Sequence, residues 1–252
     1  MLSEVASRPG LDVPAPSPVA PPGVVGRPGA SPVAARGGTR DNAAVTATEP
    51  RATPRTHVSV DLGCGLRKKP GAVGLDIAKI PGVDVVADVT RPLPLRDNSV
   101  DEVQASHIVE HVDDLMAFMG EIWRICKPGA LVYLRFPHGT SKYVTWKDPT
   151  HKRGVFLGTF EYFDPNTFDG QAWGYYHPAK FETVKRHINF NMNADTWQAK
   201  RGRRMAGKLF DWLANRNERW QYYCERFWGH WVGFEEGHLW LRAIKPAEEQ
   251  AG

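Results

Sequence analysis

The sequence of 252 residues has no run of the roughly 18 to 20 apolar residues that a helix needs to span a bilayer. We therefore expect no membrane span. The three cysteines are few, scattered and odd in number, which argues against a disulfide framework and favours a reducing, cytoplasmic location. The net charge of +4 is modest for this length and does not by itself indicate a nucleic-acid partner.

Residues 1–55 are rich in proline, alanine, glycine and valine and poor in aromatic residues. Such a composition cannot bury enough apolar surface to offset the entropy lost on ordering. The segment has no continuous apolar core of the kind that a secretory signal carries, and its acids and prolines argue against an amphipathic transit peptide. We expect residues 1–55 to be a disordered N-terminal extension and residues 56–252 to form the folded domain.

An apolar strand that ends in a glycine-rich turn is predicted at residues 58–65, Val-Ser-Val-Asp-Leu-Gly-Cys-Gly. The β-branched residues favour a strand, and Gly63 and Gly65 let the backbone turn sharply and approach a ligand closely. In a parallel α/β sheet, ligands bind at the carboxyl ends of strands, where this turn would lie. Taken alone, the pattern also suits a turn that holds no ligand.

Four more strands are predicted at residues 72–77, 83–89, 100–105 and 130–136. An amphipathic helix, with apolar residues spaced as on one helix face, is predicted between the last two. Because each strand is followed by a turn or a helix, the pattern indicates a parallel sheet with crossover connections. The second strand ends in Asp76, and an acid at that place in nucleotide-binding sheets typically accepts hydrogen bonds from ribose hydroxyls.

Several segments in order resemble the type 11 branch of class I S-adenosylmethionine (SAM) methyltransferases. They are the glycine turn, Leu-Pro-Leu-Arg-Asp-Asn-Ser-Val-Asp at 93–101, Val-Glu-His-Val at 109–112, and Arg-Ile-Cys-Lys-Pro-Gly-Ala-Leu-Val at 124–132. The resemblance covers roughly residues 57–138. It implies an α/β fold with a Rossmann-like, seven-stranded, mostly parallel sheet, whose antiparallel last strand is expected at 237–244. It also implies SAM as the cofactor.

The same resemblance assigns the cofactor site to eight residues near the ends of the first four strands: Asp61, Gly63, Gly65, Asp76, Asp88, Val89, Ser106 and His107. The first three would shape the loop around the methionine part of SAM, and Asp76 would bind the ribose hydroxyls. Asp88 would lie beside the adenine, with Val89 packed on the ring. The last two would lie beneath the sulfonium.

The connection between the first two strands departs from the family pattern. Only ten residues separate Gly65 from Asp76, and they include Pro70, so a full crossover helix has no room. We expect a loop or a single turn, which puts in doubt the usual contribution of a helix N-terminus to binding. One of three cations (Arg67, Lys68 and Lys69) could neutralise the SAM carboxylate instead. The alternative is a solvated basic loop.

Residues from about 138 to 180 form an expected insertion that would roof the acceptor site, because they follow the fifth strand and mix aromatic with polar residues. A hydroxyl or protonated amine acceptor requires a base, and histidine titrates near neutral pH. We expect His151 in this role, oriented by Asp148, with His138 as the second candidate. Structural roles for both histidines stay open. We expect no metal, although His138, Asp148 and His151 are also metal-ligand types.

His107-Ile-Val-Glu-His111 formally matches the inverted zinc-peptidase motif. Because the first histidine lies at a predicted strand end and not inside a helix, we take the match as accidental. Beyond the roof, a sixth strand is expected at 181–190 and a mostly helical segment at 200–227.

The sequence therefore predicts a SAM-dependent methyltransferase that acts on oxygen or nitrogen of a small metabolite, such as a sugar-containing compound or another natural product. No Asn-Pro-Pro-Tyr-like motif follows the fourth strand, which disfavours methylation of nucleic-acid amino groups. Two alternatives stay open: an RNA methyltransferase, and a non-catalytic SAM-binding regulatory or scaffold protein. The expected partner is a small-molecule acceptor, and the oligomeric state is left open.

Overall fold

The computed structural model of the chain describes residues 57–190, 201–231 and 233–246. The N-terminal extension expected at residues 1–55 lies outside them.

One seven-stranded sheet organises the domain, and its strand order is β3-β2-β1-β4-β5-β7-β6. The strands are β1 (Ser59–Leu62), β2 (Val73–Asp76), β3 (Val85–Val86), β4 (Val100–Ser106), β5 (Cys126–Pro137), β6 (Lys180–Asn189) and β7 (Glu236–Ile244). The first five strands pair in parallel, and β7 is antiparallel to both β5 and β6. The predicted mostly parallel, Rossmann-like sheet with an antiparallel last strand is confirmed.

Five α-helices connect or flank these strands. They are α1 (Leu115–Ile125), α2 (Lys142–Trp146), α3 (Phe168–Trp173), α4 (Arg201–Ala214) and α5 (Glu218–Arg226), with 3₁₀ turns at Leu157–Phe163, Gly174–Tyr176 and Trp228–His230. None of the helices among the described residues is long and apolar enough to cross a membrane.

Helix α1 forms where apolar periodicity and a capping residue coincide. The Asp114 side chain accepts a hydrogen bond of 2.9 Å from the Ala117 N–H, which satisfies a donor that the first helical turn leaves free. One face is buried against the sheet: Leu115, Phe118, Met119, Ile122 and Ile125. Each fully buried side chain of this size contributes roughly 1.5–3 kcal/mol, so this face fixes the helix to the sheet.

Strand β5 lies inside the sheet, between β4 and β7, and carries much of the core. Val132, Leu134 and Phe136 are fully buried at alternate positions, as the two-residue repeat of a strand requires. The strand starts earlier than predicted because Cys126 pairs with Val100 before an irregularity in the register. Residues 127–129, which precede the predicted strand at 130–136, are therefore part of the strand.

The segment expected to be mostly helical at 200–227 contains two helices, because the Asn217 side chain caps the second one by accepting from the Trp220 N–H at 2.9 Å. The third strand is only two residues long. The crossover between β1 and β2 contains turns and no helix within residues 63–72, as its length predicts.

Candidate functional site

A cavity of about 440 Å³ opens at the carboxyl ends of β1, β4 and β5. Its lining is mostly polar: Asp61, Gly63, Cys64, Arg67, Gln104, Ser106, His107 and Arg135. The volume falls within the roughly 300–1,000 Å³ typical of small-molecule sites. The cavity also lies where the strand order reverses between β1 and β4, which is where open α/β sheets bind ligands.

The glycine turn after β1 forms one wall of this cavity. Gly63 has a φ of +65° and donates its N–H to the Leu75 carbonyl at 2.8 Å. A Cβ at this position would stand 2.8 Å from the Ile108 side chain, so both the conformation and the space require glycine. Gly65 also has a positive φ, of +50°. The turn therefore brings bare backbone to the edge of the cavity.

Two carboxylates hold this turn by accepting hydrogen bonds from backbone N–H groups. Asp76 accepts the Gly65 N–H with one oxygen and the Ala78 N–H with the other, both at 2.9 Å. Asp61 is 2% exposed and accepts the Lys69 N–H at 2.7 Å. Burial raises the pKa of the Asp61 carboxyl, although that hydrogen bond and the charge of Lys69 oppose the rise. Both acids are thus held by backbone close to them in sequence.

Of the three cations in the β1–β2 loop, Arg67 is the one that lines the cavity. Lys68 forms an ion pair with Asp84 at 2.7 Å, and Lys69 forms one with Glu102 at 2.5 Å. The guanidinium of Arg67 is therefore the cation of this loop best placed to meet an anionic ligand group.

His107 follows β4 with a φ of +56° and lines the cavity. Its Nε2 lies 3.1 Å from Glu236 Oε1, and its Nδ1 lies 3.4 Å from Glu110 Oε1. Burial alone would lower the pKa of His107, but the two carboxylates outweigh that effect and raise it to about 9. His107 is therefore a cation at neutral pH and has no free lone pair with which to take a proton.

Arg135 and Glu236 complete this side of the cavity. Arg135 Nη2 lies 2.6 Å from Glu236 Oε1, and Glu236 itself is 2% exposed. Burial would raise the pKa of Glu236, but hydrogen bonds from His107 and Arg135, with His238 3.5 Å away, reverse the effect and hold it far below its usual range. No local pattern in the sequence indicates this pair, because Glu236 comes from β7 and meets Arg135 only through strand pairing.

The residues predicted for the adenine, Asp88 and Val89, follow β3. Asp88 accepts hydrogen bonds from the backbone and the hydroxyl of Thr90, which lower its pKa. Val89 is buried. In the described part of the chain, neither residue is among those that line the cavity; both lie at the end of β3, which is separated from β1 by β2.

The second candidate base, His138, is fully buried. Its Nε2 is 2.6 Å from Glu225 Oε1 and its Nδ1 is 2.8 Å from the Thr140 hydroxyl. The rings of Phe156 and Phe234 lie at 5.4 and 5.9 Å. Since both ring nitrogens are engaged and no surface is exposed, the structure does not bring His138 to a substrate, and its surroundings are those of a structural histidine.

The structure also arranges His151 and Asp148 differently from expectation. His151 Nδ1 lies 2.5 Å from the Thr145 carbonyl, so that carbonyl orients the ring, and Asp148 does not. The other nitrogen, Nε2, is 3.9 Å from Asp148 Oδ2 and also 3.9 Å from Glu110 Oε1. His151 thus joins the turn after β4 and lies next to the cavity, outside its lining in the described residues.

Residues 60–134 match the type 11 family model described as a methyltransferase domain. No curated protein matches the sequence significantly. A solved SAM-dependent methyltransferase from Archaeoglobus fulgidus is 21% identical, with 74% of this chain and 86% of that chain covered at a TM-score of 0.43. One from Mesorhizobium loti is 12% identical, with 75% and 93% covered at 0.41. The [4+2]-cyclase SpnF is 16% identical, with 75% and 76% covered at 0.46.

Proposed function

We propose, from the premise that this chain is a SAM-dependent methyltransferase with a type 11 methyltransferase domain, that it methylates an oxygen or nitrogen atom of a small polar metabolite. The observation that carries the proposal is the cavity at the ends of β1, β4 and β5. Most of its lining is assigned to the cofactor, and the remaining polar side chains, Gln104 and Arg135, suit a small polar acceptor beside it.

Within this proposal, the cofactor is held by the residues that the family resemblance assigns. The glycine turn and Asp61 surround the methionine part, Asp76 receives the ribose, Asp88 and Val89 receive the adenine, and Ser106 and His107 lie beneath the sulfonium. Asp76 supports this assignment because it already holds the turn through Gly65 and keeps acceptor lone pairs for a ligand. Arg67 supports it with a cation for the SAM carboxylate.

The methyl group of a sulfonium is already an electrophile, so the protein chiefly positions the acceptor for in-line attack. The polar residues Gln104, Arg135 and His107 are the groups best placed to orient it. His151, 7% exposed at its side chain, would act as the base only if the segment that holds it opened toward the cavity. The cytoplasmic location predicted from the sequence stays a prediction.

The test is release of S-adenosylhomocysteine from SAM by the full chain, in the presence of panels of small hydroxy and amino metabolites and, separately, of total RNA. We expect turnover with members of the small-molecule panel and none with RNA. Turnover with RNA alone, together with salt-sensitive gel retardation, would replace the proposal by the RNA alternative. Tight SAM binding without turnover on either panel would favour a non-catalytic role.

A further inference from the structure

A buried carboxylate without a hydrogen-bond partner lies beside the cavity. Glu110, in the turn after β4, is 1% exposed, and neither of its oxygens has a hydrogen-bond partner among the described residues. His107 Nδ1, at 3.4 Å, is near enough for charge attraction. Burying a carboxylate without hydrogen bonds is costly, and such groups in native proteins call for a specific explanation.

Two imidazole rings face the same carboxylate oxygen. His111 Nε2 and His151 Nε2 each lie 3.9 Å from Glu110 Oε1. The two rings have their centroids 4.7 Å apart at an interplanar angle of 71°. The donor atoms of all three side chains lie within 4.8 Å of one another. One oxygen and two nitrogens therefore converge on a single small volume.

The hydrogen bonds behind the rings determine which nitrogen faces Glu110. The Thr145 carbonyl can only accept, so His151 Nδ1, at 2.5 Å, carries a proton. The Thr150 hydroxyl donates to Asp148 Oδ1 at 2.6 Å and therefore accepts from His111 Nδ1 at 3.0 Å. In a neutral ring, each Nε2 then presents a lone pair to the carboxylate. Three electron-rich atoms thus face one another.

We propose that Glu110, His111 and His151 bind a divalent transition-metal ion of the Zn²⁺ type. Two imidazoles and one carboxylate are a ligand set that suits zinc and disfavours Mg²⁺ or Ca²⁺. Bonds of about 2.0–2.1 Å in tetrahedral geometry place donors roughly 3.4 Å apart. The observed separations are 3.9 Å for each nitrogen from Glu110 Oε1 and at most 4.8 Å within the set, so the side chains must close by about 0.5–1.4 Å around the ion. The fourth position is left to water.

The outer contacts of the three ligands resemble those of known metal sites. Ligating histidines almost always donate their second N–H to a carbonyl or carboxylate-linked group, which fixes the ring. Here the Thr145 carbonyl accepts from His151 Nδ1, and the Thr150 hydroxyl accepts from His111 Nδ1. This set shares only His151 with the alternative of His138, Asp148 and His151, because His138 is bound to Glu225. It takes Glu110 and His111 from the His107–His111 segment, without His107 as a ligand and therefore without the peptidase arrangement.

The ion would fasten the roof to the sheet. The segment that carries His151 already contacts the turn after β4 through backbone hydrogen bonds: Lys152 donates to the Glu110 carbonyl at 2.8 Å. The Arg153 guanidinium donates to the Val112 carbonyl at 2.9 Å. A metal bridging the two segments would fix His107, and with it one wall of the cavity. This role does not depend on the identity of the methyl acceptor.

The test uses the full chain without an affinity tag, stripped with a chelator and titrated with Co²⁺. We expect one Co²⁺ per chain, visible d–d absorption of a low-coordinate nitrogen and oxygen site, and displacement by Zn²⁺. Glu110→Gln, His111→Ala and His151→Ala should each weaken Co²⁺ binding at least about a hundredfold. His57→Ala is the matched control, because His57 also lies beside a carboxylate, 3.6 Å from Glu102, but at the surface. It should bind Co²⁺ as the wild type does.

A variant that keeps all three ligands tests the hydrogen bond behind His111. Thr150→Val should weaken Co²⁺ binding about tenfold, because His111 Nδ1 loses its acceptor. Thr90→Val is the control: its hydroxyl and N–H bind Asp88 Oδ1 at 2.7 and 2.9 Å in the same local turn, away from the site. Its Co²⁺ affinity should equal that of the wild type.

Should the ligand variants fail to fold, X-ray absorption of the zinc-loaded wild type decides the matter. The proposal expects two imidazoles and oxygen donors at about 2.0–2.1 Å and no sulfur. It is overturned if folded wild type binds no Co²⁺, if sulfur ligands appear, or if folded ligand variants bind as well as the control.

Discussion

The cofactor side of the cavity and the roof beside it are held in different ways. On the cofactor side, Asp76 binds the Gly65 N–H eleven residues away and Asp61 binds the Lys69 N–H eight residues away. In the roof, His138 binds Glu225 across 87 residues. The first region rests on local backbone geometry, and the second rests on side chains from distant elements.

This difference implies that substitutions in the two regions affect different properties of the protein. Removing one side chain from the roof leaves a buried polar partner unsatisfied far away in sequence, which destabilises the fold. Removing one from the cofactor turn changes the shape of a site that is exposed to ligand and should affect binding more than folding. Glu236 is the exception on the cofactor side, since it comes from the distant strand β7 and contacts both His107 and Arg135.

The largest expected effect on folding is in the roof. His138→Ala should lower the free energy of unfolding by about 3 kcal/mol, because Glu225 is left without its buried partner and a cavity opens. The affinity for SAM should stay within about twofold, measured by calorimetry on the folded fraction at low temperature. The control, His57→Ala, removes an exposed histidine and should unfold with the same urea midpoint as the wild type. Loss of SAM binding in folded His138→Ala would mean that the regions are not separate.

The second-largest expected effect is on the affinity of the cofactor side for SAM. Asp76→Ala should weaken SAM about a hundredfold, or about 2.7 kcal/mol, because the ribose loses its acceptor and the turn loses the bond to Gly65. Stability should fall much less than in the roof variant. Asp97→Ala is the calorimetric control, since Asp97 is 69% exposed at its side chain and pairs with Arg124. Equal SAM affinity of the two variants would contradict the cofactor assignment.

Glu236→Gln tests the long-range contact that supports one wall of the cavity. The pKa of Glu236 is held below the ordinary 4.5 by His107, His238 and Arg135, so its stabilising contribution exists above about pH 5 and is lost as the pH falls. At pH 7 the variant should be less stable by about 2 kcal/mol. Between pH 5 and 3 its stability should fall less steeply than that of the wild type, because an amide does not titrate. Urea unfolding at both ends of this range measures the slopes, and parallel curves would rule out the role given to Glu236.

The same contrast explains what the sequence could and could not predict. The glycine turn, the shortened β1–β2 crossover and the mostly parallel sheet depend on local spacing, turn chemistry and a family pattern, all visible along the chain. The partners of His138 and His151 depend on how residues far apart in sequence meet. Nothing near His151 in the sequence indicates that its Nε2 would face Glu110, 41 positions earlier. Likewise, the predicted orienting group, Asp148, is instead bound by its neighbour Thr150.

The smallest predicted effect separates the cations within the cofactor side itself. Arg67→Ala should weaken S-adenosylhomocysteine about tenfold, or about 1.4 kcal/mol, because Arg67 lines the cavity where an amino-acid carboxylate would lie. Lys68→Ala should have little effect, since Lys68 is paired with Asp84. The affinity for 5′-methylthioadenosine, which has no carboxylate, should be the same in Arg67→Ala and the wild type. If Arg67→Ala weakened the binding of both ligands equally, the guanidinium would be shaping the turn and not binding the carboxylate. Arg67 would then act as Asp61 and Asp76 do, by holding the local backbone of the cofactor side.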